Sequence, residues 1–257
     1  MNKAIPINRI SRRLFLKYAA VMSASIAGPI FFTGCAVDPV TGKKQLMMVS
    51  QQQEVGIDKQ HSPFQFSSDY GITQDAKINQ YISDIGKGLL PNVHRSEMPY
   101  NFQCVNATYI NAYAFPGGSI AVTRGILLKL DNEAELASLL GHELGHVNAR
   151  HAAEQMSKGQ LSSMLVSGLS IAASSQGAGL GQLAQQLGML GQGLLLSRYS
   201  RDNEREADYL GNEYMVKAGY PAKGFVGLME MLESLHKESP SSAQVLFSTH
   251  PMSAERL

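Results

Sequence analysis

Apolar and polar positions alternate along the chain in a way that divides it into a helical front, a short β-rich centre and a helical remainder. Ser50 can cap a first helix over roughly residues 51–61. Thr73 can cap a second, in which Ile78, Ile82 and Ile85 recur at helical spacing before Gly88 and Pro91 end it. Between residues 100 and 123 the pattern changes. Tyr100 to Phe115 is rich in aromatic and β-branched side chains, Pro116-Gly117-Gly118 supplies a turn, and Ser119 to Thr123 resumes β character, which predicts a small antiparallel sheet. From Asn132 the chain reads as helix. Asn132 and Glu135 carry a capping-box signature that opens a segment from Glu133 to about Lys158. Another helix, from about Asp202 to Ala218, is halted by Gly219-Tyr220-Pro221, and a last one runs to Lys237 with Phe225, Leu228, Met229, Leu232 and Leu235 as its apolar stripe. There is no internal repeat. The pattern predicts a mostly helical α+β domain.

Two stretches stand outside this scheme. The first 34 residues carry five bases (Lys3, Arg9, Arg12, Arg13, Lys17) and no acid, followed by an apolar run from Tyr18 to Phe32. That run falls short of the ~20 residues a spanning helix needs, so residues 1–34 read as an export signal peptide. Ser11 to Lys17 resembles a twin-arginine signature, although an Arg pair before an apolar run also serves the general secretory route. Phe32-Thr33-Gly34-Cys35 resembles a lipobox, which makes Cys35 the expected lipidation site. By resemblance to Gram-negative lipoproteins, Ala36 after it favours the outer membrane, facing the periplasm, and residues 35–49 read as a tether. The second stretch, 159–197, has 39 residues and no charged side chain. Its longest apolar run, Leu161 to Ala173, is interrupted by four serines, so a helical pair packed on the domain or gating it fits better than a membrane hairpin.

With 44% hydrophobic residues in 257, the chain can fill a core. Its balance of 22 bases against 21 acids becomes 17 against 21 beyond residue 34, so the remainder lacks the basic footprint of a nucleic-acid binder. Two cysteines exclude a disulfide framework, and Cys104 reads as a small apolar residue buried on a strand.

The chemistry concentrates in His142-Glu143-Leu144-Gly145-His146, inside a predicted helix. Residues four apart lie about 40° apart around a helix and one turn along it, so both imidazoles converge on one point, which suits zinc. Glu143 borders that face and can reach a metal-bound water without being a ligand. A hydrolytic site needs a third protein ligand. His151, nine residues beyond His142, falls on the opposite helix face and reads as a surface or satisfied structural histidine, as do the isolated His61, His94 and His236. Glu204 is the better candidate. Asp208 lies four residues on, so one carboxylate can bind metal while the other orients a ligand imidazole.

His-Glu-x-x-His followed some sixty residues later by Glu-x-x-Ala-Asp resembles the HtpX/CAAX-protease-type zinc metallopeptidases, specifically their secreted lipoprotein branch. Asp38-Pro-Val-Thr-Gly42, Asn111-Ala-Tyr-Ala-Phe-Pro-Gly-Gly118, Val122-Thr-Arg-Gly125 and Thr249-His-Pro251 with Arg256 extend the likeness over nearly the whole chain beyond residue 34. The resemblance implies a gluzincin-type zincin over residues 50–257. One Zn2+ per chain would be held by His142, His146 and Glu204, with Glu143 as catalytic base and Asp208 behind the ligands. It also implies that Asn111, Ala112, Tyr113, Ala114 and Phe115 form an edge strand that takes substrate, and that His250 and Arg256 lie near the site. His250 is a regulator or transition-state contact, or else a structural turn histidine. The expected activity is endopeptidase cleavage of unfolded or misassembled envelope proteins, with possible links to outer-membrane assembly machinery. The rival is a periplasmic holdase or assembly factor on the same fold without turnover. An intact Glu143 argues against it, and a purely structural zinc site would close its shell with four ligands, cysteines among them.

Overall fold

The computed structural model describes residues 35–173, 198–238, 241 and 243–251. The expected export signal (1–34), the greater part of the expected lid (174–197) and Arg256 lie outside the described residues. The chain from Cys35 onward forms one compact unit.

Residues 35–49, the expected tether, contain a short β hairpin and two buried apolar side chains. Strands β1 (Cys35–Val37) and β2 (Lys44–Leu46) pair antiparallel, and Asp38 Oδ1 closes the turn between them by accepting from Val40 N and Thr41 N. Met47 and Val49 are buried, and Met48 N donates to Ser157 Oγ at 2.8 Å.

Helix α1 (Gln51–Ser68) begins at a capping box in which the side chains of Ser50 and Gln53 each satisfy the other's backbone N–H. It continues through Pro63 to Ser68, past the expected end at residue 61, because Glu54, Asp58, Ser62 and Phe66 keep one face buried along its length. That face is mostly polar, and its acids are satisfied. Glu54 accepts from Arg95 Nη2 (2.7 Å) and Arg150 Nε (3.1 Å), and Asp58 Oδ2 accepts from Ser119 N (2.8 Å). Just past the helix end, Asp69 accepts from the Tyr109 and Tyr113 hydroxyls. Helix α2 (Ala76–Leu89) is capped by Asp75, whose Oδ1 accepts from Lys77 N and Ile78 N; Thr73, the expected cap, accepts instead from Asp75 N. Ile82, Ile85 and Leu89 are its buried stripe.

The central sheet has the order β3-β5-β4. Strand β4 (Ala112–Ala114) pairs antiparallel with β5 (Ser119–Thr123) across the Pro-Gly-Gly turn, as expected. Strand β3 (Asn101–Val105) runs parallel to β5, in register Asn101↔Ser119 to Val105↔Thr123, so this sheet is mixed. Cys104 on β3 is a free thiol, buried as expected. Thr123 caps the short helix α3 (Arg124–Leu127).

Helix α4 (Glu133–Asn148) lies at the heart of the unit and is buried from Ala134 onward. Asn132 caps it by accepting from Glu135 N. The expected continuation to Lys158 is broken: Arg150 takes a left-handed conformation (φ 59°), and a separate helix α5 (His151–Ala173) leaves in a new direction. The break is held by the buried Arg150 guanidinium, which donates to Glu54 Oε1 and to Val49 O (2.7 Å). Helix α6 (Arg201–Lys217), capped by Ser200, crosses α4 at very close range. A Cβ added at Gly211 would lie 2.5 Å from His142 N, and one at Gly145 would lie 2.8 Å from Ala207 O. Helix α7 (Lys223–Glu238) buries Leu228, Met229, Leu232 and Leu235, and a short α8 (Gln244–Thr249), which the sequence pattern did not predict, ends at His250. Among the described residues no helix is long and apolar enough to cross a membrane.

Candidate metal centre

The glycine-lined crossing of α4 and α6 sets the acidic turn of α6 directly against the two histidines of α4. His142 and His146, one turn apart on α4, bring their Nε2 atoms to 3.0 Å. Glu204 Oε1 lies 3.4 Å from His146 Nε2, and Glu204 Oε2 lies 3.6 Å from His142 Nε2. A fourth group joins from the end of α8: His250 Nδ1 is 3.0 Å from Glu204 Oε1 and 3.4 Å from His142 Nε2. All four side chains are buried, and their donor atoms lie within 4.8 Å of one another. Three imidazole nitrogens and one carboxylate converging away from water form a donor set suited to a divalent metal ion.

The electrostatics agree. Burial alone would raise the Glu204 carboxyl, but the imidazoles of His250, His146 and His142 that face it outweigh burial. They hold the group well below the usual carboxylate range, so it is an anion at neutral pH. Burial also drives the His146 imidazole well below its ordinary value against the pull of Glu204, leaving it neutral as a metal ligand must be.

Each α4 histidine is held from behind. Asp208 Oδ1 sits 2.9 Å from His142 Nδ1, the pairing expected from its spacing to Glu204. His151 Nδ1 sits 2.9 Å from His146 Nδ1, and His151 Nε2 is 3.1 Å from Glu206 Oε2. His151 is thus a satisfied buried histidine, but it is not on the opposite face from the site. The break at Arg150 turns it back toward His146, whereas counting nine residues along an unbroken helix puts it half a turn away. Sequence reasoning also missed Tyr199, whose ring stacks on His146 with centroids 4.0 Å apart and planes 21° from parallel. Burial, with the Glu143 and Glu204 charges, pushes its hydroxyl far up, so it stays neutral. His94 and His236 lie elsewhere, His94 Nδ1 within 2.7 Å of the Tyr214 hydroxyl and His236 against the Phe247 ring.

Glu143 is buried beside the donor set without belonging to it, its Oε1 3.8 Å from His250 Nε2. It opens with His142 and His250 onto a narrow cleft whose apolar walls include Leu139, Leu228, Leu232 and Leu246. A second narrow cleft is shared by His146, Tyr199 and the Ala114-Phe115-Pro116 end of the β4 segment. Asn111 to Phe115 are all buried, and β4 occupies one edge of the central sheet.

Comparison with known proteins bears on this geometry. The model of peptidase family M48 matches residues 76–257. The chain is 26% identical over 256 residues to the beta-barrel assembly-enhancing protease of Escherichia coli (strain K12), covering 97% of this chain and 51% of that protein. It is 31% identical over 184 residues to metalloprotease YcaL of the same organism, covering 72% of this chain and 69% of that protein. To metalloprotease LoiP, also from Escherichia coli, it is 35% identical over 160 residues, covering 62% of this chain and 60% of that protein. The chain spans about half the length of the beta-barrel assembly-enhancing proteases it matches.

Proposed function

The chain belongs to peptidase family M48, and from that membership we propose that it is a zinc-dependent endopeptidase acting on unfolded or misassembled proteins of the bacterial cell envelope. The observation that carries the proposal is the buried set of His142, His146 and Glu204 with the Glu143 carboxylate immediately beside it. The two imidazole nitrogens lie 3.0 Å apart and each lies 3.4 or 3.6 Å from one of the two Glu204 oxygens, separations close to the roughly 3.3 Å edge of a tetrahedron with bonds of about 2.0–2.1 Å, which supports zinc as the ion. Bound there, zinc would supply Lewis acidity toward the scissile carbonyl and toward an attacking water.

The remaining steps fall to side chains. Glu143 takes the proton of the attacking water and delivers it to the leaving amine nitrogen, a transfer its position next to His142 allows. Asp208 holds His142 in the tautomer whose Nε2 lone pair faces the metal. The edge strand at Asn111 to Phe115 pairs with an extended substrate through backbone hydrogen bonds, which read shape more than sequence and suit an unfolded client. The cleft walled by Leu139 and Leu228 receives an apolar side chain next to the scissile bond. His250 stands as a fourth donor at rest and would have to withdraw for substrate to take its place.

The similarity to the beta-barrel assembly-enhancing protease supports clients among β-barrel proteins. The basic and apolar character of residues 1–34 and the Phe-Thr-Gly-Cys35 sequence support export, lipidation at Cys35 and attachment at the periplasmic face of the outer membrane. A holdase without turnover would have no use for a buried carboxylate at Glu143. The test is the Glu143→Gln variant with casein as an unfolded substrate. Cleavage is expected to fall by about 10²-fold or more, with zinc content unchanged. Proteolysis at the wild-type rate would remove Glu143 as the base.

A further inference from the structure

His151 is 2% exposed and lies between the outer nitrogen of His146 and a carboxylate. We propose that His151 and Glu206 are positioning residues that fix the ring orientation and tautomer of His146 for metal binding, an inference that rests on the reading of His146 as a ligand.

The direction of each hydrogen bond follows from valence. His146 Nε2 faces the donor set, 3.0 Å from His142 Nε2 and 3.4 Å from Glu204 Oε1. For that nitrogen to offer a lone pair, the neutral ring must carry its proton on Nδ1. His146 Nδ1–H then donates, and the partner at 2.9 Å, His151 Nδ1, accepts. A neutral imidazole that accepts at one nitrogen carries its proton on the other, so His151 Nε2–H donates to Glu206 Oε2 at 3.1 Å. Only this direction leaves both a lone pair on His146 Nε2 for the metal and a donor for the Glu206 carboxylate. Reversed, it would set a proton of His146 toward the metal and leave Glu206 facing a lone pair. The Tyr199 ring, stacked on His146, holds the same imidazole by its face.

The two histidines of α4 are therefore supported differently, His142 by Asp208 directly and His146 by a carboxylate acting through a second imidazole. Glu204, Glu206 and Asp208 all come from α6, so one helix supplies the carboxylate of the donor set and both supporting carboxylates. The left-handed Arg150 makes this possible by returning the chain so that His151, five residues on, meets the ring it supports.

The test uses the full chain and the variants His151→Ala, Glu206→Ala and Glu206→Gln. Zinc affinity is measured by competition with a chromophoric chelator, and the histidine tautomers are read by long-range proton–nitrogen NMR on the zinc-free protein. Wild type is expected to show the Nδ1–H tautomer at His146 and the Nε2–H tautomer at His151. Glu206→Ala and His151→Ala are expected to mix the His146 tautomers and weaken zinc binding by roughly 10- to 100-fold. Glu206→Gln, which keeps an acceptor oxygen, is expected to restore both. Glu206 is partly exposed, so its variants separate the effect from misfolding of a buried site. Unchanged tautomers together with zinc affinity within twofold of wild type in Glu206→Ala would overturn the inference. Failure of the wild type itself to bind zinc would instead overturn the reading on which it rests.

Discussion

At the scale of single residues, the centre is built from side chains that are expensive to bury unless they hold one another or a cation. Glu204 is fully buried and ionised against three imidazoles, and each of the two α4 histidines has its outer nitrogen engaged. His250 completes the set, so removing it opens the centre. His250→Ala is expected to retain zinc and to raise casein turnover by roughly threefold or more, because the fraction of molecules ready for substrate increases. Initial rates at saturating zinc check this; a lower rate would make His250 a transition-state contact. His142, Glu143, His146, Glu204 and Asp208 were legible because helical periodicity converts spacing into direction. His151 was not, because its direction depends on one left-handed residue, Arg150, whose conformation is set by Glu54 and Val49 from a distant part of the chain. Tyr199 has no helical phase to read, since it precedes the Ser200 cap of α6.

At the scale of elements, the site depends on how closely two helices approach. Gly141 and Gly145 of α4 face Gly211 and Ala207 of α6, and that contact sets Glu204 and Asp208 within reach of the histidines. Gly211→Ala adds a methyl group that would lie 2.5 Å from backbone nitrogen, overpacking that typically costs about 1–3 kcal/mol. A chain of this size should then melt roughly 2–10 °C lower and bind zinc more weakly. Gly88 in α2 has open space around it, so Gly88→Ala should be neutral or slightly stabilising. Thermal melts of both variants make the comparison; equal shifts would show that the crossing is not tight. Apolar stripes announced α2 and α7 in the sequence. The full length of α1 did not show, because its buried face is Glu54, Asp58 and Ser62, which a hydrophobic pattern scores as solvent. The parallel pairing of β3 with β5 was equally hidden, since alternation shows that a strand is half buried but not which neighbour it joins.

For the molecule as a whole, residues 35–75, ahead of the matched family region, belong to the same compact unit. Glu54 pairs with Arg95 and Arg150, Val49 accepts from Arg150, and Met47 and Val49 share a buried cluster with Tyr113 and Phe115 of the β4 segment. The helix break that places His151 is thus secured from residues 49 and 54, and the strand beside the centre from residues 47 and 69. Three imidazoles and a carboxylate form a donor set suited to a divalent metal ion. The most direct measurement is therefore reconstitution of the chelator-stripped protein with zinc, with casein cleavage followed as the ion is added. Cleavage should be absent without metal, rise in proportion to added zinc and saturate at about one ion per chain. Cleavage at full rate in the stripped protein, or no cleavage at any zinc concentration, would contradict a zinc peptidase built on His142, His146 and Glu204.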